Sequence, residues 1–141
     1  MFISAGIIIF RDSGVSTEPE LLLLQSTECK KWGPPKGHLE NDEDGIQAAL
    51  RETYEEAGIS LAQLQIVEGF EEVLRYSSPT KKQKNVVYYL GKLKDPNSPI
   101  KLSHEHVDFV WTTVKDAAKF TDSESFKNMF FSALSFLKKG S

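Results

Sequence analysis

Residues 3–10 and 20–25 are two short runs in which nearly every position is apolar, the first rich in β-branched side chains and the second in leucine. Separated by the polar segment 11–19, they predict buried strands. Residues 25–36 change to turn chemistry. Asn41 to Asp44 then supply helix-start residues ahead of a helix over Gly45–Ala57, with Gly58 as its stop. Residues 64–76 and 85–93 predict two further strands joined by the lysine-rich tip SSPTKKQK. A turn at 95–99, a strand with alternating apolar positions at 107–112 and a short helix at 114–120 follow. In a last helix over 123–137, Phe126, Met129, Phe130, Ala133, Leu134 and Leu137 form one stripe at helical spacing. No repeat, low-complexity tract or linker interrupts this order, so the expectation is one α/β sandwich domain spanning residues 1–141.

Composition narrows the class without choosing a function. At 141 residues the chain is long enough for one sizeable core, and 40% hydrophobic with 26% charged residues is globular composition. A net charge of -3 argues against a protein that coats a nucleic-acid duplex through a global basic field. Cys29 is the only cysteine and cannot form an internal disulfide, and the apolar runs are far shorter than a bilayer span. The expectation is an unanchored, monomeric protein of the cytoplasm or nucleus.

The helix carries the chemistry. Advancing about 100° per residue, Ile46, Ala49, Leu50, Thr53 and Ala57 share a stripe that must pack on the sheet. Glu52 and Glu56 lie one turn apart at its edge, with Glu55 further round. These carboxylates repel one another at the negative end of the helix dipole. Arg51 can pair with Glu55 across one turn, but one guanidinium does not neutralise three carboxylates. A divalent ion would, and oxygen-only ligands favour Mg²⁺, or Mn²⁺ as a substitute, over zinc. Solvated glutamates on an exposed face are the alternative. The preceding Gly33, Pro34, Pro35 and Gly37 bend and restrict the chain so that backbone carbonyls near Gly37 can face the same spot, although an ordinary Pro-Gly turn has the same composition.

This stretch resembles the Nudix box, G-x5-E-x7-R-E-U-x-E-E-x-G-U with U a bulky apolar residue. Gly37, Glu43, Arg51, Glu52, Glu55, Glu56, Gly58 and Ile59 match, and Thr53 departs where a bulky apolar residue is expected, its methyl still able to pack. Together ELLLLQ, WGPPKGH, ALRETYEEAGI, EGF, VVYYL, LSHEH and the later Trp111 are similar, over nearly the whole chain, to diadenosine tetraphosphate asymmetrical hydrolases of the animal and archaeal type. The resemblance implies the Nudix fold, an α/β/α sandwich with a mixed β-sheet, and metal-dependent cleavage of the dinucleotide to ATP and AMP.

The resemblance also implies roles. Glu52, Glu55 and Glu56, assisted by the Gly37 carbonyl, would hold the metal, and Glu105 would join them as a ligand or as the base that deprotonates water. Arg51 belongs to the same catalytic set, and Glu43 is expected to be structural. The metal would neutralise phosphate oxygens and acidify a bound water. His104 and His106 are expected in local hydrogen bonds rather than as zinc ligands. Lys36 and the tip lysines Lys81, Lys82 and Lys84 could carry positive charge to the polyphosphate, with solubility the alternative for the tip. Tyr76 and Phe126 resemble the positions from which the family stacks its base, Phe126 being equally compatible with the core. Tyr88, Tyr89 and Trp111 are expected in or near the core, and Trp32 beside the entrance.

Three function classes follow. The leading one is asymmetrical hydrolysis of diadenosine tetraphosphate. A broader Nudix pyrophosphatase acting on oxidised nucleotides or RNA caps shares the same box. A non-catalytic nucleotide-binding module would be expected to have lost a metal carboxylate, and none is missing here.

Overall fold

The computed structural model describes residues 3–77 and 83–139, with the backbone alone at Tyr76, Ser77, Gln83 and Lys84. Strands β1 (Ser4–Arg11) and β2 (Glu20–Ser26) form where the two apolar runs predicted them. Short strands β3 (Trp32–Gly33) and β4 (Lys36–His38) interrupt the expected loop, and helix α1 (Gly45–Ala57) follows. Then come β5 (Leu64–Ile66), β6 (Glu72–Ser77), β7 (Gln83–Leu93), β8 (His106–Thr112) and helix α2 (Glu124–Lys139).

All eight strands belong to one mixed sheet, with β1 parallel to β7 and the other pairs antiparallel. Alternate residues of β1 serve opposite layers. Ala5, Ile7 and Ile9 join Ala48, Ala49 and Ala57 of α1, whereas Ile8 and Phe10 join Met129, Phe130 and Ala133 of α2. A strand covered by a helix on each face has no solvent side, which is why the run is continuously apolar. The α2 stripe packs as its spacing predicts. No helix among the described residues is long and apolar enough to cross a membrane.

Three local expectations are corrected. Residues 64–76 are not one strand: the register on β7 moves from Ile66↔Gly91 to Glu72↔Tyr88, so five residues bulge opposite two. Gly69, at φ +97°, makes that bulge possible because side-chain-bearing residues avoid this region. Residues 114–120 form only a 3-10 turn at Asp116–Lys119. The buried face of α1 is also rotated. Ala48 and Glu56 are buried, while Ile46 and Leu50 are half-buried.

Two features of the sheet create the site. Strands β1 and β2 pair only at Phe10↔Leu21 and Arg11↔Glu20, then diverge. Into that wedge runs the chain from β3, paired with β2, to β4, paired with β1, and Ile7 N donates to Pro35 O at 3.3 Å. Helix α1 is fixed at both ends by the residues that predicted it. The Asp44 carboxylate accepts from Gln47 N at 2.9 Å, Gln47 Oε1 accepts from Asp44 N at 3.0 Å, and Gly58, in the left-handed region, donates to Tyr54 O at 3.0 Å. Asp44→Ala removes one side of this reciprocal cap and is expected to lower stability by about 1 kcal/mol in urea unfolding, with turnover unchanged.

Candidate active site

Four carboxylates surround Arg51, whose side chain is largely covered. Its Nε and Nη2 donate to the two oxygens of Glu43 at 2.8 and 3.0 Å, and Nη2 also donates to His38 O at 2.8 Å. Nη1 reaches Glu52 Oε1 at 2.8 Å and both oxygens of Glu55 at 3.1 Å, with Glu40 at 3.5 Å. The guanidinium offsets more of the acidic charge than the i to i+4 spacing suggested. Glu43 is accordingly structural: Arg51 and the Glu40 N–H hold its carboxyl below the usual range. The same carboxylates make Arg51 still harder to deprotonate.

Glu56 points instead to the backbone of β4. It is 6% exposed, and its Oε1 accepts from Lys36 N at 3.1 Å. Burial, followed by the charges of Glu52 and Glu105, pushes its carboxyl up to about 8 against the Lys36 hydrogen bond. Burial also raises Glu52, against the pull of Arg51, and the two side chains are close enough to share a hydrogen bond. A Cβ added to Gly37 would land on the Glu52 carboxylate, so glycine leaves the room in which that side chain crosses β4.

A crowded and buried pair of carboxyls suits a hard cation. Among the described residues no three acidic, histidine or cysteine side chains converge at metal-binding distance, and Glu55, half exposed, is turned to Arg51. The donor set nevertheless fits a divalent ion: Glu52 and Glu56 are close-set oxygen donors whose carboxyls burial raises, and Glu105 is near enough to raise Glu56 further.

Glu56 and Glu105 line a cleft of about 860 Å³ that opens between the β1–β2 wedge and the start of α2. Lys36 and His106 lie at the same end, while Trp32, Phe120 and Phe126 supply aromatic walls. Trp32 meets Phe120 edge to face at 5.1 Å between centroids. Phe126 stacks on Phe130 at 5.6 Å and meets Tyr88 edge-on at 6.2 Å, so it belongs both to the core and to the cleft wall. Tyr88 is fully buried, and Trp111 carries the Arg11 guanidinium over its ring at 4.3 Å.

Among the expected site residues, the fold gathers Glu56, Glu105, Lys36 and Phe126 along the cleft, sets Glu52 beside Glu56, and directs Glu55 to Arg51. Tyr76 and Lys84 are cross-strand neighbours on β6 and β7, their side chains lying outside the described residues, as do Lys81 and Lys82. Reading the sequence alone missed Arg75, Lys30, Lys31 and Phe120, which also line the cleft. Strand alternation along β6 puts Arg75 on the face opposite Leu74, although both line the cleft, so no local signal marks Arg75, and none marks Phe120.

Comparison with known proteins agrees with this geometry. A NUDIX domain model matches residues 2–133. The chain is 40% identical over 129 residues to the pig (Sus scrofa) bis(5'-nucleosyl)-tetraphosphatase (asymmetrical), covering 88% of this chain and 87% of that protein. It is 43% identical over 120 residues to the Caenorhabditis elegans protein of the same name, with 84% of each covered. The crystal structure of a C. elegans Ap4A hydrolase binary complex superposes with a TM-score of 0.91 at 38% identity, covering 99% of both chains.

Proposed function

The chain belongs to the Nudix family, and from that premise we propose that it is an enzyme that hydrolyses diadenosine tetraphosphate asymmetrically, to ATP and AMP, by attack of water on a phosphoanhydride phosphorus. One observation carries the reading: a cleft of about 860 Å³ joins a buried carboxylate end to aromatic walls, as a nucleotide with a long phosphate chain requires. In this proposal residues 1–141 form one catalytic domain.

Glu52, Glu55 and Glu56 with the Gly37 carbonyl and Glu105 would hold Mg²⁺, or Mn²⁺ in its place. When bound, the ion supplies electrophilic polarisation of the phosphate and acidification of water. The chain's own groups do the rest. Arg51 orients Glu52 and Glu55 through hydrogen bonds of 2.8 and 3.1 Å. Glu105, exposed at the cleft edge, would act as a further ligand or as the base that accepts the proton of the attacking water. The half-buried Lys36 would supply positive charge to the phosphate chain beside Glu56, and Lys82 and Lys84, whose side chains lie outside the described residues, are proposed as further phosphate-binding groups. Phe126, backed by Phe130, offers a fixed platform for one adenine, and Tyr76 is the second stacking candidate.

Incubation of the protein and Mg²⁺ with diadenosine tetraphosphate, followed by separation of the nucleotides, is expected to yield ATP and AMP in equal amounts and to stop on chelation. Production of ADP alone would remove the asymmetric assignment. Preference for an oxidised nucleoside triphosphate or an RNA cap in the same panel would move the chain to another Nudix substrate class.

A further inference from the structure

Glu105 sits on the irregular segment between β7 and β8, where it passes the end of α1, yet a general base or ligand must be held to a fraction of an ångström. One side of that support comes from α1, where Ser103 N donates to Glu56 O at 3.4 Å, and Ser103 Oγ in turn accepts from Glu105 N at 3.3 Å. The other comes from the turn after β2. The β2–β8 ladder is irregular between Gln25 and Ser26, and Thr27 stands just past the break. Thr27 N donates to Glu105 O at 2.8 Å and Thr27 Oγ1 donates to His104 O at 2.9 Å.

These two carbonyls belong to the peptide planes on either side of the Glu105 Cα. Fixing both planes fixes φ and ψ at Glu105, and so the direction in which its Cα–Cβ bond leaves the chain. We propose that Thr27 is a positioning residue: its hydroxyl and N–H clamp the two peptides around Glu105 and aim that carboxylate at the Glu56 end of the cleft. A single backbone bond would suffice merely to continue the ladder, whereas the hydroxyl adds a hold on the preceding peptide. The turn that carries Thr27 is itself closed by Ser26 N to Lys31 O at 2.9 Å and Lys30 N to Ser26 O at 3.0 Å, and it lines the cleft through Lys30, Lys31 and Trp32. The clamp therefore ties the wall of the cleft to the proton acceptor.

The proposal rests on the catalytic reading of Glu105 given above, and the test separates the two. Thr27 is exposed, so Thr27→Val keeps its shape and removes only the hydroxyl, while Thr27→Ser retains the donor. With diadenosine tetraphosphate and Mg²⁺, Thr27→Val is expected to lower kcat about tenfold with KM unchanged, and Thr27→Ser to restore it. In a Glu105→Ala background, Thr27→Val should cause no further loss, because nothing is left to aim. An equal loss with and without Glu105, a change in KM alone, or a failure of serine to rescue would overturn the clamp while leaving the role of Glu105 intact. Full kcat in Glu105→Ala itself would instead overturn the reading of Glu105 and the clamp with it.

Discussion

Glu56→Gln is expected to lower turnover of diadenosine tetraphosphate by about 10³-fold while making the metal-free protein more stable at alkaline pH. The two effects share a cause. Glu56 is 6% exposed and its carboxyl is pushed up to about 8 from an ordinary 4.5, so the folded protein retains a proton over a pH range in which the unfolded chain has released it. Folded protein then binds more protons than unfolded protein between those values, and stability falls as pH rises through them. The slope contributed by this one group is at most about 1.4 kcal/mol per pH unit. Below about pH 4.5 both states are protonated and the contribution vanishes; above about 8 both are ionised and the full penalty is present. Glutamine occupies the same volume without the charge and removes that slope. Urea unfolding in chelator at several pH values between 5 and 8.5 checks this, and an unchanged slope in the variant would show that another group bears the strain. Added Mg²⁺ should then stabilise the wild type and have much less effect on the variant.

Arg51→Ala should be nearly as damaging to activity and, unlike the first substitution, should destabilise the fold. The guanidinium spans Glu43, Glu52 and Glu55 and also donates to His38 O, joining the segment before α1 to the helix itself. Alanine leaves those carboxylates facing one another without a cation. The melting temperature is expected to fall by about 5 °C at pH 8 and turnover by about 10²-fold. Because the pairing holds the Glu43 carboxyl below its usual range, its stabilisation is present above the ordinary carboxylate pKa and is lost as pH falls through the lowered value. The difference between wild type and Arg51→Ala should therefore shrink in acid, which thermal melts at pH 8 and pH 4 would show. Arg51→Lys keeps the charge but has no planar fork to serve Glu43 through two nitrogens, so it should recover stability more than turnover.

Local signals were read well because they act over a few residues. The Asp44 and Gly58 caps, the glutamate spacing on α1, the apolar runs of β1 and β2 and the stripe on α2 depend on neighbours within about a turn or a pleat, and the structure contains each of them. The break at Gly69 was missed because 64–76 carries a strand pattern on both sides of the bulge, and only the register on β7 exposes the extra residues. The rotation of the α1 face was missed for a related reason. Ile46 and Leu50 are more apolar than Ala48 and Glu56, but the close approach of the helix to β4 admits small side chains and takes Glu56 inward.

By itself, then, the order of residues determined the two helices, most of the strands, the family and the set of carboxylates, since caps, periodicity and motif spacing are written in consecutive positions. Tertiary structure alone decided that Glu55 turns to Arg51 while Glu56 is buried against Lys36. It likewise placed Trp32 on Phe120 and Thr27 on the peptides around Glu105, nearly eighty residues away. Those pairings arise where β1 and β2 splay and distant segments fill the wedge. The charge and contacts of a side chain there depend on which remote group excludes water from it, a property of packing that no stretch of sequence carries alone.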